Sequence, residues 1–141
     1  MSYYPLNSIP DYYGIDDLLT EEHILIRNSV RDWVQSFIMP QIDDAAQHHK
    51  DIPNLMKELG AIGALGPYIP EEYGGAGLDQ ISYGLIMQEL ERGDSAVRSA
   101  ASVQSSLVMF PIFEFGSEEQ KRKYLPKLAS GEFIGAFGLT E

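Results

Sequence analysis

The chain has 141 residues, 44% of them hydrophobic and 22% charged, with no cysteine. That length and apolar content suit one domain with a buried core and exclude intrinsic disorder; the missing cysteine excludes a disulfide scaffold, a thiolate zinc site and a cysteine nucleophile. The net charge of −11 is spread over both halves and leaves Lys121, Arg122, Lys123 and Lys127 as the one basic cluster, which argues against nucleic-acid binding.

No apolar run nears the roughly 20 residues needed to span a bilayer. The N-terminus, MSYYPLNSIPDYYG, has neither a signal-peptide nor a transit-peptide composition. The expectation is a soluble, cytoplasmic protein without membrane contact.

Residues 1–19, rich in Tyr, Pro and Asp, read as an extended arm. Thr20 is placed as an N-cap, with Glu21 and Glu22 in the favourable first turn. Ile26, Val30, Trp33, Val34 and Phe37 then follow at helical spacing, and Pro40 is expected to end the helix. A shorter helix is predicted over 41–49, and another opening at Pro53 with Leu55, Leu59 and Ile62 on one face. The turn-rich stretch GALGPYIPEEYGGAGLD follows, its glycines suited to positive φ or close backbone approach.

Asp79 is expected to cap a helix running to about Arg92, and Ser95 to cap the next, with a kink or boundary at Pro111. Ser117 and Gln120 form a capping box for the last helix, whose buried face is Tyr124, Leu125 and Leu128 and whose C′ residue is Gly131. Beyond it, Phe133, Gly135, Phe137 and Leu139 alternate with Ile134, Ala136 and Gly138, which reads as a strand. The expected fold is thus all-α: a helical bundle of about six helices over 20–131, then at 132–141 the first strand of a missing β domain. A lone strand leaves backbone groups unpaired, so the reading is of a truncated chain.

Few residues suggest chemistry by themselves. His48 and His49 are adjacent, so on a helix they diverge by about 100° and do not share a metal; no metal site is expected. Glu71 and Glu72 read as surface or helix-start charges. Arg98 has Asp94 four residues before it, Ser102 four after and Glu91 seven before, so that all four fit one helical face. Spacing alone favours a surface Asp94–Arg98 pair. The alternative is a guanidinium aimed into a pocket to bind a carboxylate, with Ser99 and Ser102 as hydroxyl donors and Glu91 orienting the Arg.

PEEYGGAGLD (70–79), GSEEQKRKYLPKLASGE (116–132) and AFGLTE (136–141) together resemble the acyl-CoA dehydrogenase family, in the order and spacing of its N-terminal helical domain and the first strand of its β domain. ERGDSAVRSAASVQSSLVM (91–109) looks like the glutaryl-CoA dehydrogenase branch of that family. The resemblance implies an FAD-dependent enzyme that oxidises an acyl-CoA between Cα and Cβ, decarboxylates glutaryl-CoA to crotonyl-CoA and passes electrons to electron-transfer flavoprotein. It implies that Arg98 and Ser99 contact the substrate carboxylate, with Ser102 and Glu91 beside them, and that Phe137, Gly138, Leu139, Thr140 and Glu141 run along the flavin. It implies a homotetramer, and a catalytic base in a C-terminal domain that these residues do not include, so no catalytic residue is assigned here. The alternatives are another short-chain acyl-CoA dehydrogenase, in which Arg98 is a structural ion pair, and a non-enzymatic helical interaction module.

Overall fold

The computed structural model describes residues 11–139. Residues 11–19 do not form the extended arm expected of them: the Asp11 carboxylate accepts from the backbone of Tyr13 and Asp16, and Ile15–Leu18 closes a 3-10 turn. Arg27 holds this turn from the first helix, both terminal nitrogens of its guanidinium donating to the Asp16 carboxylate. That contact keeps Asp16 below its ordinary pKa. The first ten residues of the expected arm lie outside the described region.

Among the described residues that follow, five continuous helices and a 3-10 turn at Glu71–Tyr73 are joined by loops. The first, α1, covers 21–48 and consists of α-helix Glu21–Trp33, a π turn Val34–Ile38 and α-helix Met39–His48. Thr20 caps it in a full capping box, its hydroxyl accepting from His23 N–H while the His23 ring accepts from Thr20 N–H. Helix α2 is Leu55–Ala61 and α3 is Gln80–Gly93. Helix α4 covers 95–115, again with a π turn, Val103–Met109, between two α-helical stretches, and α5 is Glu118–Ala129.

Pro40 does not end α1, and Pro111 does not break α4. Each lies two residues beyond a π turn, at the start of the resumed α-helix. In an ordinary helix the proline ring collides with the carbonyl one turn back and removes one hydrogen bond. The π turn shifts the ladder to i→i−5, with Met39 N–H reaching Val34 O and Phe110 N–H reaching Ser105 O. The wider turn admits the ring, and the helix continues.

Helix α1 lies along α3, and α3 folds back on α4. Between them sit Val30, Val34 and Ile38 of α1, Ile86 and Leu90 of α3, and Val97, Ala101 and Met109 of α4, all buried. Each of the larger side chains contributes roughly 1.5–3 kcal/mol through burial. Gly93 permits the close crossing of α1 and α3, since a Cβ there would stand 2.6 Å from Val34 Cγ1. At the far end Leu125 and Leu128 of α5 and Leu59 of α2 close the core. Gly131, at φ 71°, ends α5 in the left-handed conformation anticipated for a C′ residue and lies against the Met56 carbonyl.

The glycine-rich loop 74–77 is folded tightly against 67–69, with Gly77 N–H donating to Ile69 O and Leu78 N–H to Pro67 O, both at 2.9 Å. Residues 134–139 form no ladder with any described residue, so the expected strand is not observed as one: a strand exists by pairing, and nothing described here pairs with it.

Candidate functional site

Helices α3 and α4 meet at a sharp corner whose pivot is Asp94, in extended backbone at φ −166° and ψ 136°. It ends α3, its N–H returning to Leu90 O, and starts α4, its carboxylate accepting from Ala96 N–H at 2.8 Å and Val97 N–H at 3.2 Å. Asp94, not Ser95, is therefore the N-cap. A single helical face through Glu91, Asp94, Arg98 and Ser102 does not exist, because the helix breaks between the first and the third of these.

The corner brings Glu91 and Arg98 together by another route. Arg98 Nε donates to Glu91 Oε2 at 2.6 Å, and the Ser95 hydroxyl donates to Glu91 Oε1 at 2.6 Å. These two bonds, the Arg98 one foremost, hold the Glu91 carboxyl below its ordinary pKa. The pair is exposed, with 37% of the Arg98 side chain and 46% of the Glu91 side chain accessible. An ion pair this open to solvent is well screened and contributes little to stability. The contact uses Nε alone, and the two terminal amino groups of Arg98 bond to no described residue. Ser99 and Ser102 are half-buried on the same helix, Ser102 one turn beyond Arg98, and the Ser102 carbonyl accepts from the Ser106 hydroxyl at 2.6 Å.

The π turn of α4 carries two buried polar residues that local spacing did not single out. The Ser105 hydroxyl accepts from Gly66 N–H at 2.8 Å, and its carbonyl accepts from the Tyr68 hydroxyl at 2.8 Å. The Gln104 amide donates to Leu128 O at 2.9 Å and Phe133 O at 2.8 Å, and accepts from Gly135 N–H at 2.8 Å. The available signal was the placement of Gln104 on the face that also carries Val97, Ala101 and Val108.

Two further long-range contacts fix the frame. Glu89, fully buried, takes a two-pronged hydrogen bond from Arg31 at 3.0 and 2.9 Å, with Arg92 Nε 3.6 Å away. His23 Nδ1 accepts from Thr20 N–H, so Nε2 carries the proton and donates to Asp79 Oδ2 at 2.9 Å. Asp79 in turn caps α3 through Ser82 N–H. The Ser82 backbone and His23 together depress the Asp79 carboxyl to about 2.

Glu72 faces Arg122 at 3.6 Å, and the exposed His48 pairs with Asp44. No group of acidic, histidine or cysteine side chains able to hold a metal occurs among the described residues, and no described helix is long and apolar enough to cross a membrane. Phe137 and Leu139 are exposed at 52% and 73%, and no hydrogen bond or ion pair joins 137–139 to the Arg98 corner. Thr140 and Glu141 lie outside the described residues.

This arrangement of helices matches a known class of protein. The family model for the acyl-CoA dehydrogenase N-terminal domain matches residues 20–132, and the chain belongs to that family. A probable acyl-CoA dehydrogenase of Bacillus subtilis (strain 168) is 45% identical over 123 residues, which cover 86% of this chain and 20% of that protein. The glutaryl-CoA dehydrogenase of Desulfococcus multivorans is 36% identical over 130 residues, covering 90% of this chain and 33% of its own length. The crystal structure of a glutaryl-CoA dehydrogenase from Mycobacterium smegmatis in complex with FADH2 superposes with a TM-score of 0.88 at 43% identity, covering 99% of this chain and 35% of that one. The chain thus spans between a fifth and about a third of the length of these relatives.

Proposed function

We propose that the chain is the N-terminal helical part of an FAD-dependent acyl-CoA dehydrogenase that oxidises glutaryl-CoA and releases crotonyl-CoA after decarboxylation. The observation that carries the substrate assignment is the Arg98 guanidinium, anchored by Glu91 through Nε and with both terminal amino groups uncommitted to any described residue. A planar fork held at one edge presents its other edge to a carboxylate in a two-pronged geometry. Ser99 and Ser102 add hydroxyl donors on the same helix. An uncharged acyl chain would leave that donor set unpaired once water is displaced, which disfavours it. The likeness to the two glutaryl-CoA dehydrogenases supports this choice.

The described part of 137–141, residues 137–139, suits a flavin. Its backbone makes no hydrogen bond to any described residue, and its N–H groups are the kind of donor that the pyrimidine edge of an isoalloxazine accepts. Phe137, Gly138 and Leu139, continued by Thr140 and Glu141, would hold the cofactor. FAD, when bound, supplies the acceptor for the hydride leaving Cβ. Arg98 holds the far end of the substrate so that Cα and Cβ occupy one place, and Glu91 keeps Arg98 from swinging toward solvent. The same reading carries electron-transfer flavoprotein as the electron acceptor and a homotetramer as the assembly.

A second reading keeps the family and changes the substrate to another short-chain acyl-CoA, because a Glu91–Arg98 pair complete in itself also serves as a structural contact. The full-length protein separates the two. Purified, it should carry FAD, and glutaryl-CoA should bleach the flavin absorbance faster than butyryl-CoA. Bleaching by butyryl-CoA with none by glutaryl-CoA overturns the substrate assignment, and a protein that never retains flavin overturns the enzyme.

A further inference from the structure

The buried amide of Gln104 has no place in the carboxylate site, yet it is the most densely bonded side chain of α4. It is 1% exposed and makes three hydrogen bonds to backbone alone: donating to Leu128 O and Phe133 O, and accepting from Gly135 N–H. One amide thus ties α4 to the end of α5 and to the segment that leaves it. Gly135 lies so close to α4 that a Cβ there would stand 2.4 Å from Val108 Cγ1. Past Gly135 no hydrogen bond to a described residue restrains 136–139. The Gln104 clamp is the last described anchor before Phe137, Gly138 and Leu139.

The π turn explains how a side chain in mid-helix serves this purpose. Ser105 uses the same turn to grip the loop at Gly66 and Tyr68, so adjacent residues of one widened turn hold the segments on two sides of α4. Arg98 lies fewer than two turns before Gln104 on the same helix.

We propose that Gln104 is a positioning residue: it sets the register at which 133–139, leaving α5, crosses α4, so that the flavin-facing run and the Arg98 corner are referred to one helix. The inference rests on the reading of 137–139 as the flavin edge. A shift of this run moves the redox centre relative to a substrate held by Arg98, so the loss falls on turnover and leaves binding in place.

The test uses the flavin-loaded full-length protein with two variants. Gln104→Met keeps length and volume and removes all three hydrogen bonds, whereas Gly135→Ala leaves the amide intact and pushes the segment off Val108. Both should change the visible circular dichroism of the flavin and lower kcat by about tenfold or more, with KM for the acyl-CoA within about twofold. In Gln104→Met, amide exchange at Gly135 should accelerate by about tenfold or more while exchange at Val30 and Val34 stays unchanged. Should Gln104→Met fail to fold, Gly135→Ala alone must still give the flavin and kcat change. Faster exchange at Gly135 with an unaltered flavin signal and kcat overturns the inference while leaving the flavin assignment standing. So does acceleration at Gly135 that is matched at Val30 and Val34, since the amide would then serve general stability. A wild-type protein without flavin overturns the reading of 137–139 and the inference with it.

Discussion

Helix α3 carries two glutamates two residues apart, each paired with an arginine, and the two pairs do different work. Glu89 is fully buried and takes both prongs of Arg31 from α1. Glu91 faces solvent and takes only Nε of Arg98 from α4. The inner pair satisfies a carboxylate that would otherwise be stranded in the core, so it holds helices together. The outer pair contributes little to stability and leaves a guanidinium edge unspent. Both pairs have the same chemistry, and their burial differs; in the function proposed here that difference leaves Arg31 structural and Arg98 free to meet a ligand.

Breaking the inner pair should have the largest effect. Arg31→Met strands Glu89 with only the longer Arg92 contact and should cost about 3–5 kcal/mol, read by urea unfolding through the fluorescence of Trp33. Adding Glu89→Leu should recover most of that loss, because the penalty lies in the uncompensated charge. Asp94→Ala removes the cap at the corner between α3 and α4 and should cost about 1 kcal/mol in the same measurement. Arg98→Gln should leave the unfolding midpoint almost unmoved in the same measurement, because the exposed pair is screened by solvent.

The smallest effect is a pH dependence at the opposite end of α3. Asp79 titrates near 2 when folded and at an ordinary 3.8 when unfolded. A depressed folded pKa contributes stability above the unfolded value, and that contribution is lost as pH falls from about 4 toward 2. Melting temperatures of the wild type and Asp79→Asn should therefore differ most at neutral pH and converge near pH 2. Asparagine keeps the cap but not the charge.

The helix starts at Thr20, Asp79 and Ser117 were legible in the sequence because an N-cap is chosen by chemistry within three residues. Pro40 was misread for the opposite reason, and the boundary expected at Pro111 falls at the π turn just before it. Whether Pro40 or Pro111 ends a helix depends on the turn before it, and no residue type in Val34–Ile38 or Val103–Met109 announces a π turn. At the corner, helical spacing and then the family resemblance grouped Glu91, Arg98, Ser99 and Ser102; the structure joins Glu91 to Arg98, by a geometry the spacing did not give. Helical spacing joined Arg98 to Asp94, but Asp94 spends its carboxylate on backbone N–H groups and Glu91 takes the arginine. Glu89, His23 and Gln104 escaped notice because their partners lie 58, 56 and up to 31 residues away. Each is a polar residue on or beside an apolar face, and that signal is weak until the fold supplies the second half of the contact.

The most direct test of the Arg98 assignment is the ratio of turnover on glutaryl-CoA to turnover on butyryl-CoA in the full-length protein, before and after Arg98→Gln. The carboxylate assignment predicts that glutaryl-CoA turnover collapses while butyryl-CoA turnover persists. Equal loss of both, with the ratio unchanged, would contradict it and return Arg98 to the role that Arg31 already fills.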